Sequence, residues 1–370
     1  MTQPDDLLPE GLEDQLPATA AKATAVMRAV LGAMDAHGYD RVRPPLVEFE
    51  RSLAGRMADG RGGSRKAFRF TDPESLGTLA LRSDITPQIG RIASTGLSSA
   101  PRPLRLCYAG EVATIRADQL DPARQRLQMG AELIGSDSVT AAGEAVELAI
   151  AAVEAAGASG ISVDFTLPDL VDVLSEKAMP LAPEAVPAVR RELDTKDAGG
   201  LKEAGGEAYL PLIHATGAFD DAIERLAAID AGGALASRIA GLKAVAQRVR
   251  GHARLTLDPT ERHGFEYQNW LGFTVYADGS RRAVGRGGTY AIAGTGEAAT
   301  GFSLYLEPLL DALPDAPTRR ILFLPRNHDT AAAAKLRCEG WRTVAAISES
   351  DDAVTLGCTH RLEGTDPVVL

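Results

Sequence analysis

The polar residues that could bind a ligand lie mainly in four short blocks of the chain. Their sequences are LRSDITPQ, LCYAGEV, QMGAELIG and GFSLYLEP, at residues 81–88, 106–112, 128–135 and 301–308. Within them the Glu132 carboxylate has the charge to hold an ammonium group or a protonated ring, and Glu266, outside the blocks, has the same charge. These residue types therefore suit recognition of a cationic group.

Metal-dependent and nucleophilic catalysis find no support in the sequence. His252 and His263 flank residues 257–260, but neither has metal-ligand spacing with a cysteine or an acidic pair. His37 and the Ser83–Asp84 pair form no arrangement typical of an activated nucleophile. The sequence predicts no metal site, no cofactor and no catalytic residue.

A glycine-rich stretch, VGRGGTY at residues 284–290, is compatible with two structures. Glycine lacks a Cβ, so a stretch of this kind lets the backbone approach a ligand closely. The same composition is typical of a hairpin turn, and the stretch taken alone favours the turn.

Composition limits the possible partners. The chain has 370 residues, 24% of them charged, and a formal net charge of −11. Proteins that bind nucleic acid concentrate Lys and Arg on one face, so this acidity disfavours tRNA as a partner. No apolar run of about 18 residues predicts a membrane span, and the acidic N-terminus lacks the features of a signal peptide. Three scattered cysteines exclude a disulfide framework and suit a reducing cytoplasm.

Hydrophobic periodicity indicates the elements that position the blocks. Residues 18–38 have the pattern of an amphipathic helix that ends at Gly38. The extended segment 39–48 contains Pro44 and Pro45, which predict a sheet edge or an interface strand. Alternating residues predict short strands at 67–71, 78–82, 104–108, 131–134, 161–166, 272–276 and 281–285. A period of two indicates an antiparallel sheet with one face covered by helices.

The predicted fold class is α+β, with three parts. A sheet core takes residues 1–166 and 251–315, and a helical insertion at residues 167–250 interrupts it. Residues 316–370 show a βαβ pattern and form a small C-terminal α/β segment, about half the size of a typical domain.

In this order the four blocks resemble the motifs of class II histidyl-tRNA synthetases, LRPEGTA, YY-x-GPVFRYE, Q-x-G-x-E-x-x-G and GFA-x-GLER. The likeness covers residues 8–313. It implies the class II aminoacyl-tRNA synthetase fold, with Pro45 at the place of a motif 1 proline in the dimer interface. Thr114 and Pro308 stand where that family has the arginines that meet the phosphate charge of ATP. Adenylation by this chain is therefore not expected.

The resemblance also implies an amino-acid pocket. The residues at the family's histidine-binding positions are Asp84, Thr86, Gln128, Glu132, Glu266 and Tyr267. In the block matched to RGLDYYTG the arginine has become His263, with Arg262 beside it, and Gln268 stands at the imidazole end of the pocket. The glycine-rich stretch lies where the family has GGGRYD, with Thr289 for its arginine and Ala291 for its aspartate. Either the pocket binds histidine, or its polar residues are inherited in a pocket without a ligand.

A histidyl-tRNA synthetase carries an anticodon-binding domain of about 100 residues after motif 3, whereas here a short βαβ segment follows. Together these departures resemble the regulatory subunits of ATP phosphoribosyltransferase, a synthetase-like family of histidine biosynthesis. That resemblance implies a non-catalytic homodimer within a hetero-oligomer. It implies activation of a short-form catalytic subunit and feedback inhibition by the effector L-histidine.

Two alternatives belong to other classes of protein. A class II-like ligase that activates an amino acid for a non-tRNA acceptor needs cations for the ATP phosphates, which the sequence does not place. An RNA or stress sensor conflicts with the acidic charge and the missing tRNA-binding module. ATP–pyrophosphate exchange tests the first alternative, and a salt-dependent gel shift with tRNA tests the second.

Overall fold

The chain divides into two compact units, Met1–Pro314 and Asp315–Leu370. The structure is a computed structural model, and it describes residues 7–54, 67–116, 122–229, 231–262, 268–314 and 320–370. No helix in these ranges is both long enough and apolar enough to cross a membrane. The further division of the first unit into a core and an insertion stays a prediction.

The described residues form α-helices, 3-10 helices and β-strands throughout both units. The helices are α1 (Pro17–Ala36), α2 (Glu50–Ala54), α3 (Thr86–Ser94), α4 (Val139–Ala155), α5 (Leu170–Lys177), α6 (Val186–Asp194), α7 (Ala198–Glu203), α8 (Phe219–Ile229), α9 (Ala236–Val249), α10 (Leu306–Ala312) and α11 (Thr330–Cys338), with 3-10 helices at Glu207–His214 and Ala231–Gly233. The strands are β1 (Asp40–Arg41), β2 (Val47–Phe49), β3 (Arg69–Thr71), β4 (Thr78–Leu81), β5 (Leu104–Ala113), β6 (Gln125–Ile134), β7 (Ser162–Thr166), β8 (Gly217–Ala218), β9 (Arg254–Leu257), β10 (Gln268–Tyr276), β11 (Gly285–Ala291), β12 (Ala298–Tyr305), β13 (Ile321–Leu324), β14 (Arg342–Ala345), β15 (His360–Glu363) and β16 (Asp366–Val369).

A nine-stranded sheet in the order β1-β5-β6-β12-β11-β10-β7-β9-β8 forms the frame of the first unit. Its central pairs are antiparallel, as predicted, but β1 pairs with β5 and β7 with β9 in parallel. Parallel neighbours need a crossover connection, and the helical segment between β7 and β9 supplies one. The predicted antiparallel sheet is therefore a mixed sheet, and the proline-containing segment lies at its edge next to β1, as predicted.

Helices α1, α4, α9 and α10 pack on one face of this sheet, and α4 lies directly on β11 and β12. The helix begins after Ser138, whose hydroxyl accepts a hydrogen bond from the Ala141 N–H at 3.2 Å. Its inward side is rich in alanine, with Ala142, Ala149 and Ala152 fully buried, so the helix lies close to its neighbours. This packing covers the helix-facing side of the central strands.

The opposite face of the sheet carries the polar residues of the sequence blocks. Side chains alternate along a strand, so Tyr108 on β5, Glu132 on β6 and Ser303 on β12 share this face. Helix α3 covers part of it, because Ile85 and Ile89 pack against Tyr108. A small sheet, β2-β4-β3, lies before α3 in the chain.

The glycine-rich stretch differs from its prediction. Residues 285–291 form strand β11, which pairs with β10 on one side and β12 on the other, so the predicted hairpin turn is wrong. The chain reverses earlier, around Gly279, whose φ of 86° is favourable for glycine. Most of the strand predicted at residues 281–285 therefore belongs to this turn.

Residues 167–250 are helical, as predicted, and fold around buried side chains such as Leu201, Tyr209 and Leu226. The short strand β8, which pairs with β9, was not predicted. Two residues carry too little periodicity to be recognised in a sequence.

The second unit contains a four-stranded sheet in the order β14-β13-β15-β16. Strands β13 and β14 are parallel and joined by α11, which confirms the predicted βαβ pattern. Asp329 caps α11 by accepting hydrogen bonds from the N–H groups of Ala331 and Ala332. The following hairpin of β15 and β16 was not predicted, and Gly364 takes the left-handed conformation in its turn.

Candidate ligand-binding site

Three glycines on adjacent strands form a flat floor in the polar face of the sheet. Gly272 on β10 lies opposite Gly288 on β11, which lies opposite Gly301 on β12. A Cβ at Gly288 would stand 2.7 Å from Gln268 Nε2, and a Cβ at Gly301 would collide with the Glu132 carboxylate. The glycines therefore let polar side chains lie directly on the sheet backbone.

The Glu132 carboxylate lies at the centre of this site, with 1% of the residue exposed. Its Oε1 accepts hydrogen bonds from Thr86 Oγ1 at 3.1 Å and from the Tyr108 hydroxyl at 3.4 Å. Its Oε2 accepts a hydrogen bond from the Tyr290 hydroxyl at 2.8 Å. Three hydroxyls from α3, β5 and β11 thus converge on one buried carboxylate.

Burial raises the pKa of Glu132 to about 8, although the Tyr290 hydrogen bond opposes the shift. The nearby Asp84 carboxylate raises this pKa further. Burial and Glu132 also hold the pKa of Tyr108 well above its usual value, so its hydroxyl stays neutral. The site therefore keeps Glu132 largely protonated at neutral pH, and a cation placed beside it would favour the ionised form.

The Gln128 amide fixes the loop that leads into α3. Its Oε1 accepts a hydrogen bond from Ile85 N at 2.9 Å, so its Nε2 is the donor toward Asp84 Oδ1 and Ser303 Oγ, each at 2.7 Å. Asp84 Oδ1 also accepts a hydrogen bond from Thr86 N at 3.1 Å. Asp84 and Thr86 are thereby held at the edge of the glycine floor.

The structure brings together four of the six predicted histidine-site residues: Asp84, Thr86, Gln128 and Glu132. Glu266 and Tyr267 lie outside the described residues. The sequence analysis places Gln268 at the imidazole end of the pocket, and it did not predict the site residues Tyr108, Ser303, Tyr290 and Arg286. Tyr108 and Ser303 could have been found, because both stand in the four blocks and lie on the same face of the sheet as Glu132. The role of the six residues in histidine binding stays a prediction.

The cavity between these side chains is small. It has a volume of about 20 Å³, which is room for roughly one water molecule. Thr86, Glu132, Gln268, Arg286 and Tyr290 contribute to its wall. A ligand larger than a water molecule therefore fits only when wall side chains such as Gln268 move off the glycine floor.

Pro45, the predicted interface residue, is exposed and is held by two buried side chains. The Pro45 carbonyl accepts a hydrogen bond from Gln88 Nε2 at 2.8 Å, and the Pro44 carbonyl accepts one from Arg82 Nη1 at 2.9 Å. Arg82 Nε also donates to the Glu111 carbonyl at 2.7 Å. The proline segment is thus fixed to the loop that carries Asp84, while its place in a dimer interface stays a prediction.

A second cavity, an acidic cleft of about 440 Å³, opens beside the end of β5 and the start of α10. Its wall carries the carboxylates of Glu13, Asp14, Glu111 and Glu307, and none of its described wall residues is Lys or Arg. Burial raises the pKa of both Glu111 and Glu307. Pro308 follows Glu307 directly, so negative charge lines this wall next to a position where the synthetases have an arginine. A phosphate group would find no described Lys or Arg on this wall.

The described residues contain no group of three or more His, Cys, Asp or Glu side chains that could hold a metal ion. The site instead combines a buried carboxylate, converging hydroxyls and an arginine over exposed backbone. These groups can bind a small polar molecule through hydrogen bonds and charge.

The family model of histidyl-tRNA synthetase matches residues 11–309, which include the mixed sheet and its glycine floor. The protein is therefore of the histidyl-tRNA synthetase-like class. An ATP phosphoribosyltransferase regulatory subunit from Rhodospirillum centenum is 39% identical over 368 residues, which cover 97% of this chain and 95% of the relative. The chain belongs to the family of ATP phosphoribosyltransferase regulatory subunits within this synthetase-like class.

Solved structures share the fold. An ATP phosphoribosyltransferase regulatory subunit/histidyl-tRNA synthetase from Bacillus halodurans superposes with a TM-score of 0.81 at 22% identity, covering 96% of this chain and 97% of its own. One chain of the ATP phosphoribosyl transferase (HisG:HisZ) complex from Thermotoga maritima superposes with a TM-score of 0.59 at 17% identity, covering 77% and 97%. The class II synthetase-like fold predicted from the sequence blocks is confirmed.

Proposed function

We propose that this chain has no catalytic activity of its own, activates a short-form ATP phosphoribosyltransferase catalytic subunit and transmits feedback inhibition by L-histidine. One observation carries the proposal: a buried Glu132 carboxylate that accepts hydrogen bonds from converging hydroxyls coexists with a cleft whose described wall has four carboxylates and no Lys or Arg. A pocket that keeps its ligand groups while the phosphate-binding groups are gone suits a sensor of the amino acid. Family membership supplies the partner, because the relatives are named regulatory subunits of this transferase.

The absence of adenylation chemistry follows from charge. Attack on the α-phosphate of ATP builds negative charge that preorganised cations must meet, and one such contact is commonly worth about 3 kcal/mol. Thr114 and Pro308 offer no such cation, and Pro308 also lacks a backbone N–H. Glu111 and Glu307 add negative charge nearby.

Feedback inhibition requires that histidine bind two states of the assembly with different affinity. The coupling free energy between the histidine site and the catalytic subunit is then about 1–3 kcal/mol and acts equally in both directions. The proline segment is a physical link from the pocket, because Arg82 and Gln88 hold it to the loop and helix that carry Asp84 and Thr86. A shift of α3 on ligand binding therefore moves Pro44 and Pro45.

The proposal includes a cytoplasmic homodimer that uses the Pro45 region as its interface. Next to Pro45, Leu46 is 43% exposed, and Phe49 and Phe70 of the small sheet are 39% and 45% exposed. Phe49 and Phe70 both lie opposite Leu79, so they share one face of that sheet. Exposed apolar side chains grouped in this way are typical of a protein interface.

Sedimentation equilibrium tests the interface. Leu46→Asp should shift the chain from dimer toward monomer, with a dissociation constant at least about tenfold higher, because a carboxylate would be buried in an apolar contact. Ile347→Asp is the matched control, since Ile347 is 91% exposed in the second unit. Equal behaviour of the two variants would contradict this interface.

Phosphoribosyl-ATP synthesis tests the proposed function. A purified short-form catalytic subunit is assayed with and without this chain, and each assay is repeated with L-histidine. The proposal predicts activity that depends on the chain and falls when histidine is added. Equal activity with and without the chain would contradict the proposal. Amino-acid-dependent ATP–pyrophosphate exchange would then be the next assay.

A further inference from the structure

We infer that Arg286 binds the carboxylate of the amino acid that the Glu132 pocket holds, an inference that rests on the proposed histidine-binding role of this pocket. Arg286 lies on β11 and lines the same cavity as Thr86, Glu132 and Gln268. The sequence analysis assigned no role to this residue. Its position gives the pocket a cationic end in addition to the carboxylate end.

The register of the sheet sets the separation of these two ends. Arg286 lies opposite Ser303 on β12, whereas Glu132 on β6 lies opposite Gly301 on the same strand. The two residues are therefore two strands and one side-chain row apart, which places their Cα atoms about 12 Å from each other at ordinary strand spacing. Once wall side chains such as Gln268 move and the cavity of about 20 Å³ widens, one small ligand with a cationic and an anionic group can lie between these two ends.

The charge of the cavity wall agrees with this assignment. Among the wall residues that the structure describes, Arg286 carries the only positive charge and Glu132 the only acidic side chain. Burial, with a contribution from Asp84, raises the pKa of Tyr305 to about 12, and Arg286 opposes this shift. The guanidinium therefore acts on the interior of the site. Its planar pair of N–H groups matches the geometry of a carboxylate.

Two of the sequence blocks differ from the synthetase motifs in where their arginines stand. His263 stands where the synthetase block RGLDYYTG has its arginine. Thr289 and Ala291 match the arginine and aspartate of GGGRYD, so Arg286 falls on the first glycine of that block. Two arginines have been lost from these blocks, and one arginine, Arg286, has been gained on a strand that faces the pocket. A carboxylate-binding group is thereby retained at a new position.

Calorimetric titration of the full chain with L-histidine and with histamine tests the inference. Histamine has the imidazole and the ammonium group of histidine but no carboxylate. The wild-type chain should bind histidine about 10- to 100-fold more tightly than histamine, as one charge-assisted hydrogen-bonded contact allows. Arg286→Gln should bring the two affinities together by weakening histidine alone, and Arg286→Lys should restore part of the preference.

Arg282→Gln is the matched control, because Arg282 precedes the same strand and pairs with Asp311 at 3.2 Å away from the cavity wall. It should keep the wild-type preference, and thermal unfolding should show that each variant is folded. Equal loss of both ligands in Arg286→Gln, or an unchanged preference, would overturn the role of Arg286 while leaving the histidine pocket in place. A wild-type chain that binds neither ligand would overturn the pocket and this inference together.

Discussion

Two cavities of the first unit, the Glu132 site and the acidic cleft, differ in how their polar groups are paired. Around Glu132, hydroxyls from three elements satisfy one buried carboxylate, and the Gln128 amide holds the adjacent loop. In the acidic cleft, Glu307 Oε2 is buried without a hydrogen-bond partner among the described residues, and carboxylates face one another. Polar groups that remain fully paired fix one geometry, whereas a wall of like charge lowers affinity for anions. This difference supports the proposal that the chain recognises an amino acid and does not activate it with ATP.

Of the substitutions considered, Glu132→Ala should have the largest effect on histidine affinity. The substitution removes the acceptor of three hydroxyls and the carboxyl group that shares its proton with the imidazole, so histidine affinity should fall about 100-fold or more, roughly 3 kcal/mol. In the assembled transferase, inhibition by histidine should weaken while activation by the chain persists. Calorimetry and the coupled activity assay measure these two effects.

Glu111→Ala in the acidic cleft is the control for that variant. Because Glu111 lines the other cavity, histidine affinity should change by less than about twofold, the usual scale for a change away from a site. Equal effects of Glu111→Ala and Glu132→Ala would erase the distinction between the two cavities.

The pH dependence of histidine binding should be bell-shaped. Glu132 with a pKa of about 8 is protonated at neutral pH, so a neutral imidazole binds without net proton exchange by sharing that proton. Below the imidazole pKa of about 6.5, free histidine and Glu132 are both protonated, so one proton must be released on binding. Above about 8 both are deprotonated, so one proton must be taken up. Affinity should therefore fall up to about tenfold per pH unit on each side.

Among the residues that the structure describes, Tyr108, Tyr290, Thr86 and the Asp84 carboxylate face Glu132. Glu132→Gln removes the titrating group and should abolish the alkaline limb, while the acidic limb of the free ligand remains. Affinity that still falls above pH 8 in Glu132→Gln would assign the limb to another group.

Gly301→Ala should disturb the glycine floor by a smaller amount. The new Cβ would collide with the Glu132 carboxylate and stand 2.7 Å from the Ala131 carbonyl oxygen, so overpacking should cost about 1–3 kcal/mol of the free energy of unfolding. Denaturant titration measures the loss, and histidine titration should show weaker binding at the same time.

Gly32→Ala is the opposite case and gives the smallest expected change. Gly32 lies on α1 with nothing within 4 Å of a Cβ, so alanine should stabilise the chain by about 0.5–1 kcal/mol through helix propensity. Equal destabilisation by Gly32→Ala and Gly301→Ala would mean that the free energy of unfolding depends on glycine at any position and not on the close contacts of the glycine floor.

Short sequence blocks and their order along the chain were enough to predict part of the site. Asp84, Thr86, Gln128 and Glu132 occupy fixed places in short blocks, and the structure brings those blocks together on one face of the sheet. The βαβ pattern of the second unit was equally local, because its period changes between strand and helix. These features need no knowledge of which distant segments pair.

Features that depend on distant pairing could not be predicted. The stretch of residues 285–291 has the composition of a turn, yet it is a central strand because β10 and β12 hydrogen-bond to both of its edges. Tyr290 and Arg286 enter the site only through that pairing. The parallel pairs β1–β5 and β7–β9 likewise join segments that are far apart in sequence.

The most direct test of the contrast between the two cavities is one calorimetric experiment on the full chain, titrated in parallel with L-histidine and with magnesium ATP. Retained amino-acid recognition and discarded nucleotide chemistry predict saturable binding of histidine and no measurable binding of ATP. Saturable binding of ATP with no binding of histidine would contradict the account, because the chain would then have kept nucleotide recognition and lost amino-acid recognition.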